Sequence, residues 1–112
     1  MEVPLYLYEL SYTSESVAAQ IANPQDRLET AARPVIESVG GRLLGGGFAF
    51  GDHDVVLLVE APDDESIAAV ALAVEAGGAI KSAKTTKLLT GAQWVAALKK
   101  ASTVSSVYQP SR

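Results

Sequence analysis

The chain contains no cysteine, one histidine, one methionine and one tryptophan in 112 residues. Without thiols there are no disulfides, no thiolate nucleophile and no cysteine-based zinc site, so redox conditions place no demand on folding. Basic residues are also scarce: nine Lys and Arg face thirteen Asp and Glu, for a net charge of −4 and a pI near 4.8. Only Lys99 and Lys100 are adjacent, so the chain lacks the basic stripe that nucleic acid or an anionic bilayer requires, and neither is expected as a partner. No apolar run approaches the roughly 18 residues of a membrane span, and Met1-Glu2-Val3-Pro4 lacks the basic start of a signal peptide. The resulting expectation is a soluble, cytoplasmic protein that uses neither metal nor cofactor. A single histidine among acids can hold a hard cation, but no two ligands stand at metal-binding spacing.

What is present is enough apolar material, 48 % of residues, for one domain with its own core. Leu5–Tyr12 alternates as a strand, with Tyr6, Tyr8, Leu10 and Tyr12 on one side and Leu5, Leu7, Glu9 and Ser11 on the other. Thr13 and Ser14 open a helix that continues to Ala22. Asn23-Pro24 is read as its restart, with Asn23 as the cap and Asp26 in the first turn. Leu28, Ala31, Ala32, Val35, Ile36 and Val39 then recur at helical spacing, Pro34 is expected to kink or loosen the segment, and Gly40-Gly41 stop it. Arg42–Phe50 reads as a second strand softened by Gly45-Gly46-Gly47, glycines that mark a bulge or a close approach. Val55–Val59 is apolar at both parities, so both of its faces need cover.

Pro62-Asp63-Asp64-Glu65 begins a helix with acids at the positive end of its dipole, and Ile67, Val70, Ala71 and Val74 form its inward stripe. Gly77-Gly78 end it, and Ala79–Leu89 is the fourth strand, with Ile80, Ser82, Lys84 and Thr86 at one parity. Thr90 and Gln93 make a capping box for a helix expected over 90–101 that carries Trp94, Val95 and Leu98. Residues 1–101 thus form one domain, and 102–112 a loose tail.

The order β-α-β-β-α-β-α is the ferredoxin-like α+β pattern, with two helices over one face of a four-stranded antiparallel sheet. The doubly apolar third strand calls for a second copy of the sheet against the other face, in a homodimer or higher oligomer that encloses an interior space between paired sheets.

The corner Gly51-Asp52-His53-Asp54 holds the only imidazole between two carboxylates. His53 and Asp54 read either as an acid/base pair or as a polar turn in which Asp54 caps the chain. Glu9 reads either as a base desolvated in the interior or as a surface carboxylate paired with Lys84 or Lys81. Tyr6, Tyr8 and Tyr12 are candidate pocket walls or plain core. Phe48 and Phe50 carry the same two readings, and Trp94 reads as core. Lys84 with Thr85 and Thr86 suits an anionic group or a solvated strand. Gly45-Gly46-Gly47 precedes no helix and is not a nucleotide loop.

Ser11-Tyr12-Thr13, Gly40-Gly41-Arg42-Leu43, the run Phe48–Val56, Pro62-Asp63 before an alanine-rich helix, and Lys84-Thr85-Thr86 with Leu88-Leu89-Thr90 together resemble the GYD-domain family over about residues 4–100. The resemblance implies a ferredoxin-like domain of the dimeric α/β-barrel kind and assigns no activity. His53 stands where many relatives carry tyrosine, so a role tied to a phenol falls here to an imidazole. Two classes of function follow. One is a protein that binds a small apolar molecule between paired sheets, as a cofactor-independent enzyme moving a proton through His53, Asp54 or Glu9. The other is a non-catalytic oligomeric assembly or binding module.

Overall fold

The computed structural model describes residues 3–111. Four antiparallel strands, β1 (Leu5–Tyr12), β2 (Arg42–Phe48), β3 (Val55–Glu60) and β4 (Ile80–Leu88), lie in the order β2-β3-β1-β4. Helices α1 (Ser14–Ala22), α2 (Arg33–Ser38) and α3 (Asp64–Ala76) fill the two crossovers, and α4 (Gly91–Ser105) follows the sheet. This is the ferredoxin-like α+β arrangement that the element order implied.

Residues directly opposite in an antiparallel pair share a face, so register sorts the sheet into two sides. Tyr6, Tyr8 and Leu10 stand opposite Val59, Leu57 and Val55, and all six are buried beneath the helices. Ile36 of α2 and Ile67 and Val70 of α3 cover them, each such side chain contributing about 1.5–3 kcal/mol by leaving water. The other side carries Leu5, Leu7 and Glu9 opposite Glu60, Leu58 and Val56, all only half-buried.

Local corrections to the sequence reading have identifiable causes. Asn23-Pro24 does not restart the helix. Residues 24–26 are irregular, and Asp26 takes the capping role, its carboxylate accepting from Leu28 N–H at 3.1 Å and its carbonyl from Thr30 N–H at 2.9 Å. Pro34, by contrast, sits where the segment loosens, as expected, without ending it. A π-helical turn over Leu28–Ala32 precedes it, with Arg33 N–H reaching back to the Leu28 carbonyl, and this wider turn takes up the perturbation before the proline. The second strand stops at Phe48, and its bulge falls at Leu44, between the paired residues Leu43 and Gly45. A second irregularity at Lys81 puts Ile80 opposite Tyr12 and Ser82 opposite Ser11. Ile80 therefore sits on the helix side, away from Ser82, Lys84 and Thr86.

The last helix runs to Ser105, beyond the expected end at Ala101. Serines that compete with helices elsewhere are absorbed here by back-bonding, Ser102 Oγ to the Lys99 carbonyl at 2.9 Å and Ser106 Oγ to that of Thr103 at 2.7 Å. α4 makes no extensive contact with another element. Trp94 is 58 % exposed and Leu98 55 %, so Trp94 is not a core residue. Deleting residues 106–112 is expected to move the melting temperature by less than about 3 °C, because Val107 and Tyr108 are exposed. A larger fall in thermal denaturation would show that the segment docks in solution.

One long-range link has a pH signature. Tyr6 Oη donates to Asp64 Oδ1 at 2.5 Å, and Lys87 Nζ donates to the same oxygen at 3.0 Å. Burial first, then the bond to Asp64, pushes the Tyr6 phenol up from 10.0 to about 12. The bond from Tyr6, seconded by Lys87, holds the Asp64 carboxyl below its ordinary range. The raised phenol stabilises the fold fully below pH 10 and loses that contribution as pH rises through about 12. The depressed carboxyl acts at the other end: its contribution is present above the ordinary carboxylate pKa and lost as pH falls below it. In urea unfolding the parent is expected to lose more stability between pH 10 and 12 than Tyr6→Phe does. Parallel losses in the two proteins would remove Tyr6 as the cause.

Candidate functional site

The corner between β2 and β3, residues 49–54, is tied to the end of β1. Asp54 N–H donates to the Leu10 carbonyl at 2.9 Å, the Asp54 carboxylate accepts from Tyr12 N–H at 2.9 Å, and Ser11 Oγ donates to the Asp52 carbonyl at 3.1 Å. The Asp54 carboxylate thus braces the backbone at Tyr12, the structural half of its two readings.

With the corner fixed, His53 overhangs the uncovered face of the sheet. Its Nδ1 lies 3.5 Å from Glu9 Oε2, with about a quarter of each side chain exposed. Lys84 stands opposite Glu9 on β4, and Val56 opposite it on β3. Next along the face come Leu7, Leu58 and Thr86, and after them Leu5, Glu60 and Leu88, with Gly45 and Gly47 of β2 leaving one margin bare. The arrangement is an apolar floor with an ionisable pair at one end. Imidazole and carboxylate in contact can pass a proton or hold a polar substituent.

The tyrosines do not join this group. Tyr6, Tyr8 and Tyr12 face the helices, and Tyr6 is committed to Asp64. Phe50 is fully exposed in the corner, whereas half-exposed Phe48 joins Tyr8 and Tyr12 in the wall of a cavity of about 320 Å³ beneath the helices. That cavity is mostly apolar, with Ala31, Ala32, Ala73 and Val74 among its walls. Tyr8 is 1 % exposed, and its Oη is the buried side-chain atom left without a hydrogen-bond partner among the described residues. Burial above all, and the Glu75 charge, push its phenol up, so it remains a protonated donor. The sequence reading placed a pocket only between sheets and missed this one. Its signal was the half-buried alanine pair Ala31-Ala32 on the first crossover, too small to fill the space it borders.

Among the described residues no cluster of three or more His, Asp and Glu can hold a metal ion, and no helix is long and apolar enough to cross a membrane.

Comparison with known proteins gives two findings. The GYD domain matches residues 6–98. The crystal structure of MtbAldR is similar in fold, with a TM-score of 0.57 at 15 % identity over 79 % of this chain and 54 % of that one. This chain therefore spans about half the length of that protein. No curated protein matches.

Proposed function

The chain belongs to the GYD-domain family, and from that premise we propose that it works as a homodimer whose uncovered sheet faces meet around a small apolar molecule. The observation that carries this reading is the uncovered face itself. Leu5, Leu7, Val56 and Leu58 are half-buried on it, and the Glu9–His53 contact closes one end. Four aliphatic side chains on one open face are costly in water and inexpensive against a second copy. Glu9 and His53 would hold or deprotonate a carbonyl-bearing ligand, while Lys84, opposite Glu9, offsets negative charge. Asp54 supports them as a brace.

A two-dimensional NMR screen with small apolar carbonyl compounds is expected to shift the signals of Glu9, His53 and Val56. His53→Ala is expected to abolish those shifts while changing stability by only ~0.5 kcal/mol, as substitutions outside the core do. His53→Tyr should keep the fold and alter the response. Binding shifts unchanged in both variants, or no shift on this face in the parent, would overturn the reading.

The second reading, a non-catalytic assembly module, is favoured by α4. Trp94, Val95 and Leu98 form an uncovered apolar stripe on a helix that makes no extensive contact with another element, which suits packing between copies better than chemistry.

A further inference from the structure

We infer that the cavity beneath the helices is a second binding site, for a small aromatic or aliphatic monocarboxylate that carries a further oxygen on its body. This site lies on the opposite side of the sheet from Glu9 and His53 and does not depend on the dimer. At about 320 Å³ it falls at the small end of the roughly 300–1,000 Å³ typical of ligand pockets. Two donors without acceptors border it. Tyr8 Oη is buried and unpartnered among the described residues, a condition that destabilises the fold when nothing satisfies the group.

The second donor is Arg27. It is half-buried and has no hydrogen bond or ion pair among the described residues, although Glu15 lines the same neighbouring groove. Arg27, Gly77 and Ala79 line both the apolar cavity and that more polar groove, so Arg27 stands where the two meet. A planar guanidinium bordering an apolar space suits a carboxylate whose body enters that space. The phenol in the wall asks for a hydroxyl or carbonyl oxygen on the body. Tyr8 Oη has essentially no surface open to water, so contact with it needs a small outward shift of the neighbouring side chains.

Three probes test the site by calorimetry and NMR: 3-phenylpropanoate, its neutral amide, and 3-(4-hydroxyphenyl)propanoate. The acid is expected to bind about tenfold more tightly than the amide, and the hydroxylated acid about tenfold more tightly than the plain one. Arg27→Gln should erase the first difference. Tyr8→Phe should erase the second while leaving stability equal or higher, because it removes an unpaired buried oxygen. Ala32→Trp, which fills the cavity, should abolish binding of all three, with NMR shifts confined to the helix side in the parent. If neither acid binds saturably, if Tyr8→Phe and Arg27→Gln leave the affinity order intact, or if the shifts fall on Glu9 and His53 instead, the assignment is wrong. Should Ala32→Trp fail to fold, the Tyr8→Phe and Arg27→Gln results decide alone.

Discussion

Leu58→Asp is expected to turn a dimer into a folded monomer. Leu58 lies at the centre of the uncovered sheet face, opposite Leu7 on one side and Gly45 on the other, and is half-buried within the single chain. In the monomer its carboxylate would remain hydrated, so the fold should survive. In a dimer closed by this face the same carboxylate would be buried without a partner, at a cost of several kcal/mol by order of magnitude. Each 1.4 kcal/mol is tenfold, so the dimer dissociation constant should rise at least about a hundredfold. Light scattering at micromolar concentration reads the mass directly, and circular dichroism confirms that the chain is folded. Leu57→Asp is the contrast. Leu57 is 3 % exposed beneath the helices, and a charge there should unfold the domain whatever its oligomeric state. A parent that is already monomeric, or a Leu58→Asp variant with the parent's mass, would end the paired-sheet reading.

The second large effect falls on the glycine run. Gly46 has φ +153°, and a Cβ built there would lie 2.5 Å from the Val56 carbonyl oxygen and 3.1 Å from Leu57 Cα. Both are backbone atoms of the neighbouring strand, held by the β2–β3 ladder, and cannot step aside. Gly46→Ala is expected to cost about 3 kcal/mol and to lower the melting temperature by roughly 10 °C or more. Gly45 and Gly47 differ, since a Cβ at either meets nothing within 4 Å. Gly45→Ala and Gly47→Ala should therefore stay within about 1 kcal/mol of the parent. Equal effects at the three positions in chemical denaturation would show that the run is kept for general flexibility and not for one close approach.

Local chemistry accounts for what could be read directly. The Thr90–Gln93 capping box forms as expected, and so does the start of α3, where Asp63 accepts from Ser66 N–H at 2.8 Å. The β1 alternation and the apolar run Val55–Val59 marked these stretches as strands and sorted their side chains into two faces, because a pleated chain must send alternate residues to opposite faces, but which face lies under the helices was decided by the tertiary structure. These features lie within a few residues of one another, and short-range sterics and hydrogen bonding decide them.

The remainder depended on partners far along the chain. Asp26 displaced Asn23 as cap because the π-helical turn sets where the helix before Pro34 begins. The irregularity at Lys81 sent Ile80 to the helix side through pairing with β1, which spacing within β4 cannot reveal. Tyr8 and Glu9 are neighbours in sequence, yet the sheet assigns the phenol to one cavity and the carboxylate to the opposite face with His53, 44 residues away. The sequence by itself determined which residue types were available for chemistry and which strands would carry them. Tertiary structure decided which of them meet, because strand register and helix placement set distances that local propensity does not.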